Sequence, residues 1–342
     1  MQFDERKQKI LAAIVETYIK TGEPVASKTL AQLLDFSVSP ATIRNEMAAL
    51  FEMGYLEQPY TSAGRIPSHL GYRAYIDKLM NCKPLTEQER SEIDALFNVK
   101  DPDPDKLLED AADALAEYTN CATVTATTTP KHVTVKRIDI IPADARTVVL
   151  VMIASNGVVK SRVCRVDFRA NPDILSFFSK FANDRFAGRS LKDISSWYIN
   201  SVAVTLGEYS RVFTPLLVGI YELCREVYDG LFYVGGESNL LAYQEFSQIA
   251  HDLLVFFSHR DRMMELLNQK DSDVDVRVGK ENSDSELTGS SVVVAKYNIG
   301  EDRCGAIGVI GPVRLDYQRL IPHLAYFAKT LGKLLSDTLE ND

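Results

Sequence analysis

Six residues within ten positions carry the most specific chemistry in this chain: Ser39, Ala41, Thr42, Arg44, Asn45 and Ala48 in SPATIRNEMA. Ser39 is a good helix N-cap, and Pro40 behind it suits the first helical position. Ile43, Met47 and Leu50 then recur on one apolar face. Ala41, Asn45 and Ala48 fall on the opposite face, flanked by Thr42 and Arg44. An asparagine amide pairs bidentately with adenine, and a guanidinium with guanine, in the major groove of DNA. Small neighbours let such a helix approach the groove wall. Gly54 is placed to end it. The same pattern also suits a purely structural helix, so the neighbouring segments decide between the two.

A second group follows in YTSAGR: Tyr60, Thr61, Ser62 and Arg65. Hydroxyls and a guanidinium on a Gly-containing tip suit phosphate contacts or insertion into a minor groove. An ordinary exposed turn would read the same way. Other chemistry is scarce. Gly305, Gly308 and Gly311 give GAIGVIG, which is not GxGxxG and lies in a β-branched run, so a close-packed strand is expected there. No GxxxxGK[ST], HExxH or GxSxG occurs. The histidines, His69, His132, His251, His259 and His323, are scattered and suit no metal. In PVRLDYQ, Arg314, Asp316 and Tyr317 are either a helix cap with a salt bridge or the edge of an interface. No cofactor is expected.

The elements that must position these residues read as follows. Residues 3–20 form an amphipathic helix with Ile10, Leu11, Ile14, Val15 and Tyr18 on its apolar side. TGEP breaks it. Ser27 is placed to cap a second helix, Lys28 to Leu34, and a turn at 35–38 leads to the helix containing Asn45. The order is that of a helix-turn-helix. Tyr55–Leu56 and Arg65–Ile66 would be short strands with TSAGR as the tip of a wing. GYRAYIDKLMNC continues as a helix on which Arg73 and Lys78 read as solvated, a DNA-backbone contact by Arg73 being left open. Residues 83–105, ending in DPDPD, read as a linker with a capping box at Thr86 and Glu89.

The body changes period. After a helix from Lys106 to Thr119, β-branched runs from Ala122 to Phe168 predict an antiparallel sheet with a hairpin at SNGV. Residues 172–229 are mainly helical, and 229–241 read as a strand and turn. Helix returns at 246–267. Three strand-like runs and a last helix, Tyr317 to Leu339, close the chain. A sheet interrupted by helices and then resumed suggests one domain inserted in another.

Length and charge agree with a modular regulator. The 342 residues suggest two or three domains. Residues 1–80 hold nine basic and nine acidic residues, so the whole net charge of −9 lies in the remainder. A neutral head on an acidic body resists non-specific attachment to polyanions. Five widely spaced cysteines without a CxxC pair suggest free thiols in a reducing compartment. The N-terminus lacks a signal-peptide core, and no apolar run is long enough to span a bilayer, so a cytoplasmic protein is expected.

ATIRNEMAALFEMGYLEQPYTSAGRIPSHLGYRAYID resembles the signature of the HrcA family of bacterial heat-inducible transcription repressors, with IGVIGPVRLDYQRLI as a second motif. Where the family's pattern has His before TSAGR, this chain has Tyr60, which stacks and donates a hydrogen bond but cannot become a cation. The resemblance implies an α+β multidomain protein. It would comprise a winged helix-turn-helix head (1–82), a linker (83–105), a GAF-like α/β domain (106–168 and 244–342) and a dimerisation domain inserted in it (roughly 169–243). The helix at 246–267 fits either unit. The resemblance also implies a homodimer on the inverted-repeat operator of chaperone operons, modulated by the GroE chaperonin. A metabolite-responsive regulator sensing a ligand in the GAF-like domain is the alternative. An enzyme fused to a DNA-binding head lacks any motif to support it.

Overall fold

The computed structural model describes residues 3–34, 39–60, 63–97, 103–128, 132–267, 273–300 and 303–339. Helix α1 (Glu5–Thr21) begins where Asp4 accepts a hydrogen bond from the Lys7 amide and ends at Gly22, whose φ of 69° is a left-handed cap. Helices α2 (Ser27–Leu33) and α3 (Pro40–Glu52) follow, then strands β1 (Leu56–Glu57) and β2 (Ile66–Pro67), which pair antiparallel. Ser27 is the first residue of α2; Ala26 holds the cap position and offers no side-chain bond. Helix α4 (His69–Ala74) runs into a π-helical turn at Tyr75–Leu79. The apolar stripes meet as expected: Ile10, Leu11, Ile14 and Val15 of α1 bury Leu30 of α2 and Ile43, Met47 and Leu50 of α3. Each such side chain contributes about 1.5–3 kcal/mol on burial.

The main body is a five-stranded antiparallel sheet. Its strands are β3 (Ala122–Thr128), β7 (Phe232–Gly235), β8 (Val274–Val278), β9 (Ser290–Ile299) and β10 (Arg303–Pro312), in the order β7-β3-β10-β9-β8. Helices α6 (Pro104–Thr119) and α12 (Tyr317–Leu339) cover one face, burying Ile307, Val309 and Tyr297. The other face buries Val124, Val294 and Ile310 under α10 (Ala250–Ser258) and α11 (Arg260–Leu267). The segment read as one helix at 246–267 is therefore two short helices that belong to this body. The glycine run is a central strand. The Tyr297 ring lies over Gly305, where a Cβ would come within 2.3 Å of it.

Strands β4 (Val135–Asp144), β5 (Thr147–Ala154) and β6 (Val159–Arg165) form a second, separate antiparallel sheet. One of its faces packs on α7 (Pro172–Phe186), α8 (Ser196–Thr205) and α9 (Ser210–Tyr228) through Ile138, Leu150, Met152, Phe178, Leu216 and Ile220. These strands were expected in the main sheet, with an inserted unit beginning near 169. The structure puts them in the inserted unit instead, whose core runs from Val133 to Val227. Conversely Phe232–Gly235, expected within the insertion, is the edge strand paired with β3. The reason is physical. Strand β5 alternates buried and half-buried residues along its length, so it has one core face and recruits the helices that follow it. The strands of the main sheet are covered on both sides. The units are joined at Asp105, which accepts from Lys160 Nζ at 2.9 Å and from the Tyr233 hydroxyl at 2.8 Å.

The head is built into the body. Arg73, read as solvated, forks onto Glu281, its Nε donating at 2.8 Å, and also pairs with Asp77 at 3.2 Å. Tyr72 meets Tyr317 edge-on at 6.1 Å, and Tyr317 bonds Ser291. Arg314 pairs with Glu245, and Asp316 accepts from the Arg319 amide, so PVRLDYQ is a structural cap. Nor is 83–105 a free linker. It contains α5 (Glu87–Leu96), with the expected capping box at Thr86 and Glu89. Phe97 meets Phe327 at a tilt of 53° with ring centres 4.4 Å apart, and Tyr326 donates to Asp94 at 3.1 Å. Asp103 and Pro104 of DPDPD start α6. Among the described residues no helix is long and apolar enough to cross a membrane. Burial pushes the Cys121 thiol up to about 11 and that of Cys224 to about 12, so neither is reactive at neutral pH.

Replacing Arg73 with Ala should cost about 1–2 kcal/mol, since it removes a partly exposed charged fork. Limited proteolysis should then cut first between head and body, and a thermal melt should measure the loss.

Candidate nucleic-acid interface

Helix α3 begins as its sequence requires. The Ser39 side chain accepts from the Thr42 amide at 3.2 Å and bonds the Thr42 hydroxyl at 3.0 Å. Ile43 and Leu50 have no exposed surface and Met47 only 5%. Ala41, Arg44, Asn45 and Ala48 are exposed, and Thr42 is half-buried. Neither the Arg44 nor the Asn45 side chain has a hydrogen-bond or ion-pair partner among the described residues. Glu46 would oppose an anionic ligand, but it is turned away: Lys7 of α1 holds it at 3.1 Å and Arg6 at 3.7 Å. The exposed face of α3 therefore keeps its guanidinium and amide available and hides the nearest carboxylate.

The wing departs from the sequence reading in one respect. Tyr60 is exposed, and its carbonyl accepts from the Ala63 amide at 2.9 Å. Thr61 and Ser62 lie outside the described residues. Arg65, expected at the tip, stands at the base. Its amide and carbonyl both pair with Val25 at 2.9 Å, adding a third short segment to the wing. Its guanidinium is stacked 4.9 Å from the centre of the Phe51 ring. Gly64 is required by close approach, because a Cβ there would lie 2.4 Å from the Val25 carbonyl oxygen. The sequence signal for this was the TGEPV stretch, which pairs with the wing as well as ending α1.

Between α2, α3 and the wing lies a cleft of about 420 Å³ that includes Lys28, Arg44, Gln58 and Arg65 in its wall. In the sequence Lys28 is only the first residue expected in the second helix. Only the fold brings it beside Arg44 and Arg65.

Three helices, a paired wing and an exposed Arg and Asn face define a DNA-binding protein of the winged helix-turn-helix class. The model of the winged helix-turn-helix transcription repressor domain, HrcA DNA-binding, matches residues 3–78, and that of the HrcA protein C-terminal domain matches residues 105–321. The chain belongs to the HrcA family of heat-inducible transcription repressors. The heat-inducible transcription repressor HrcA of Clostridium botulinum (strain Alaska E43 / Type E3) is 34% identical to it, covering 98% of this chain and 99% of that protein. That of Acetivibrio thermocellus is 32% identical, covering 100% and 99%. A crystal structure of a hypothetical protein at 2.2 Å resolution shares the fold, with a TM-score of 0.68 at 23% identity, covering 98% of this chain and 100% of that one. The protein is a transcription regulator, not an enzyme.

Gly64→Val should push the wing off Val25. DNA affinity, followed by fluorescence anisotropy, should fall more than tenfold. The main melting transition of the body should stay in place.

Proposed function

We propose that this chain is a dimeric repressor that binds an inverted-repeat operator of chaperone operons and is kept active by the GroE chaperonin. The observation that carries the DNA reading is that the exposed Arg44 and Asn45 side chains have no partner among the described residues, on a helix whose other face is buried. In this reading α3 enters the major groove. Ser39 and Thr42 set its N-terminal turn, Ala41 and Ala48 permit close approach, and Arg44 and Asn45 contact the DNA. Tyr60, Thr61, Ser62 and Arg65 place the wing on the flanking backbone.

The five-stranded unit is read as GAF-like and the inserted unit as the dimerisation domain. The outer face of the three-stranded sheet supports the second assignment. Register aligns Ile141, Val149 and Val163 in one row, and Ile153 with Val159 in another. Ile141, Val159 and Val163 are 52%, 56% and 68% exposed. An open β-branched face of this kind packs well on its own two-fold copy. Two α3 helices related by that axis then meet two half-sites. The relatives are named heat-inducible, and such an exposed face would engage a chaperonin whenever the dimer is apart. A cytoplasmic location follows from the operator.

Purified protein should prefer a chaperone-operon inverted repeat over a scrambled duplex by about 10³-fold or more in a gel shift. Asn45→Ala should remove about 1–3 kcal/mol of that preference. Added chaperonin should raise the fraction of protein active in binding. Equal affinity for both duplexes, with and without chaperonin, refutes the proposal. Separately, Val163→Asp should sediment as a monomer with unchanged far-ultraviolet circular dichroism and lose operator affinity; a dimer at micromolar concentration argues against the sheet as the contact.

A further inference from the structure

The cations of the head are unevenly committed. Of the nine Lys and Arg between residues 3 and 80, Arg6 and Lys7 pair with Glu46, Lys9 with Glu5, and Arg73 with Glu281 and Asp77. Lys20, Lys28, Arg44, Arg65 and Lys78 have no ion-pair partner among the described residues. Three of these five come from three different elements and line one cleft: Lys28 on α2, Arg44 on α3 and Arg65 at the base of the wing. No carboxylate is among the described residues that line it. The chain as a whole carries a net charge of −9, so an acid-free basic cleft is against its average. Arg65 is held at this wall by its stack on Phe51, and its buried Nε has no acceptor among the described residues.

The exposed side of α3 divides into two rows. Arg44, Ala48 and Phe51 follow one another at i, i+4 and i+7. Arg44 and Ala48 line the cleft, and Phe51 touches Arg65. Ala41 and Asn45 form the adjacent row, outside the cleft. The two side chains that the sequence alone assigns to base edges thus face different surroundings.

We propose that the cleft is a clamp for a phosphodiester of the bound duplex, closed by Lys28, Arg44 and Arg65, and that sequence is read by the Ala41–Asn45 row. Arg44 in this arrangement grips the backbone and does not pair with guanine. Lys28 becomes a DNA-contacting residue. The proposal rests on the DNA-binding reading above and assigns its labour. Backbone contacts position the protein and carry the salt dependence, whereas base contacts carry the sequence preference.

Full-length protein, Lys28→Gln, Arg44→Gln and Asn45→Ala should be titrated against operator and scrambled duplexes at 50 to 300 mM salt. Each lost phosphate contact flattens the slope of log K against log salt by about 0.9, so a dimer losing two should change by about 1.8. Lys28→Gln and Arg44→Gln should show that change while weakening both duplexes by the same factor. Asn45→Ala should keep the slope and lose at least tenfold in operator preference. An unchanged slope for Lys28→Gln, or an Arg44→Gln variant that loses preference as Asn45→Ala does, overturns the clamp while leaving operator binding intact. If the parent protein prefers neither duplex but Lys28→Gln still flattens the slope, the clamp stands and the operator reading falls.

Discussion

The fork of Arg73 onto Glu281 is the constraint on which the arrangement of the molecule depends. It joins the last helix of the head to the edge of the five-stranded sheet, and it does not act alone. Ile43 and Leu50 under the recognition helix belong to the same continuous core as Val309 of the sheet and Leu331 of the last helix. A head on a flexible tether would search for its half-site independently. A head sharing a core with the body presents α3 at a position that the body sets. Any change in the body therefore changes where α3 is presented.

That coupling gives the charge distribution its purpose. The head is neutral overall, yet Glu46, the carboxylate next to Asn45 in sequence, is turned onto Lys7 and Arg6 of the first helix. The favourable charge that remains is concentrated between α2, α3 and the wing. An acidic body discourages loose attachment elsewhere. The result is a neutral head whose cations lacking an ion-pair partner among the described residues gather mainly on one side.

Local sequence carried the head almost completely. Ser39, Pro40 and Gly54 bracket α3, and its apolar spacing names the buried face, because caps and periodicity act within one turn of helix. What local pattern could not carry was pairing at a distance. Arg65 looked like a tip residue because its partner Val25 lies forty positions earlier. Arg73 looked solvated because Glu281 lies 208 positions later. The two sheets were merged for the same reason: period two identifies a strand without naming its neighbour. Lys28 had no signal of its own, since its significance arises only from two cations on other elements.

The inserted unit also raises the entropic cost of closing the main sheet. Strands β3 and β7 are direct antiparallel neighbours, Thr123 opposite Gly235 and Ala126 opposite Phe232, so the whole three-stranded unit stands where a hairpin usually has a turn. Closing so long a loop while it is unfolded is entropically costly and slow. Once the insert has folded, its ends are brought near each other and the edge strand can dock. Until then one side of the main sheet is unpaired and its apolar faces are open to other chains. Folding of the insert therefore shortens the loop that β3 and β7 must close, and it couples the stability of one sheet to that of the other through chain connectivity.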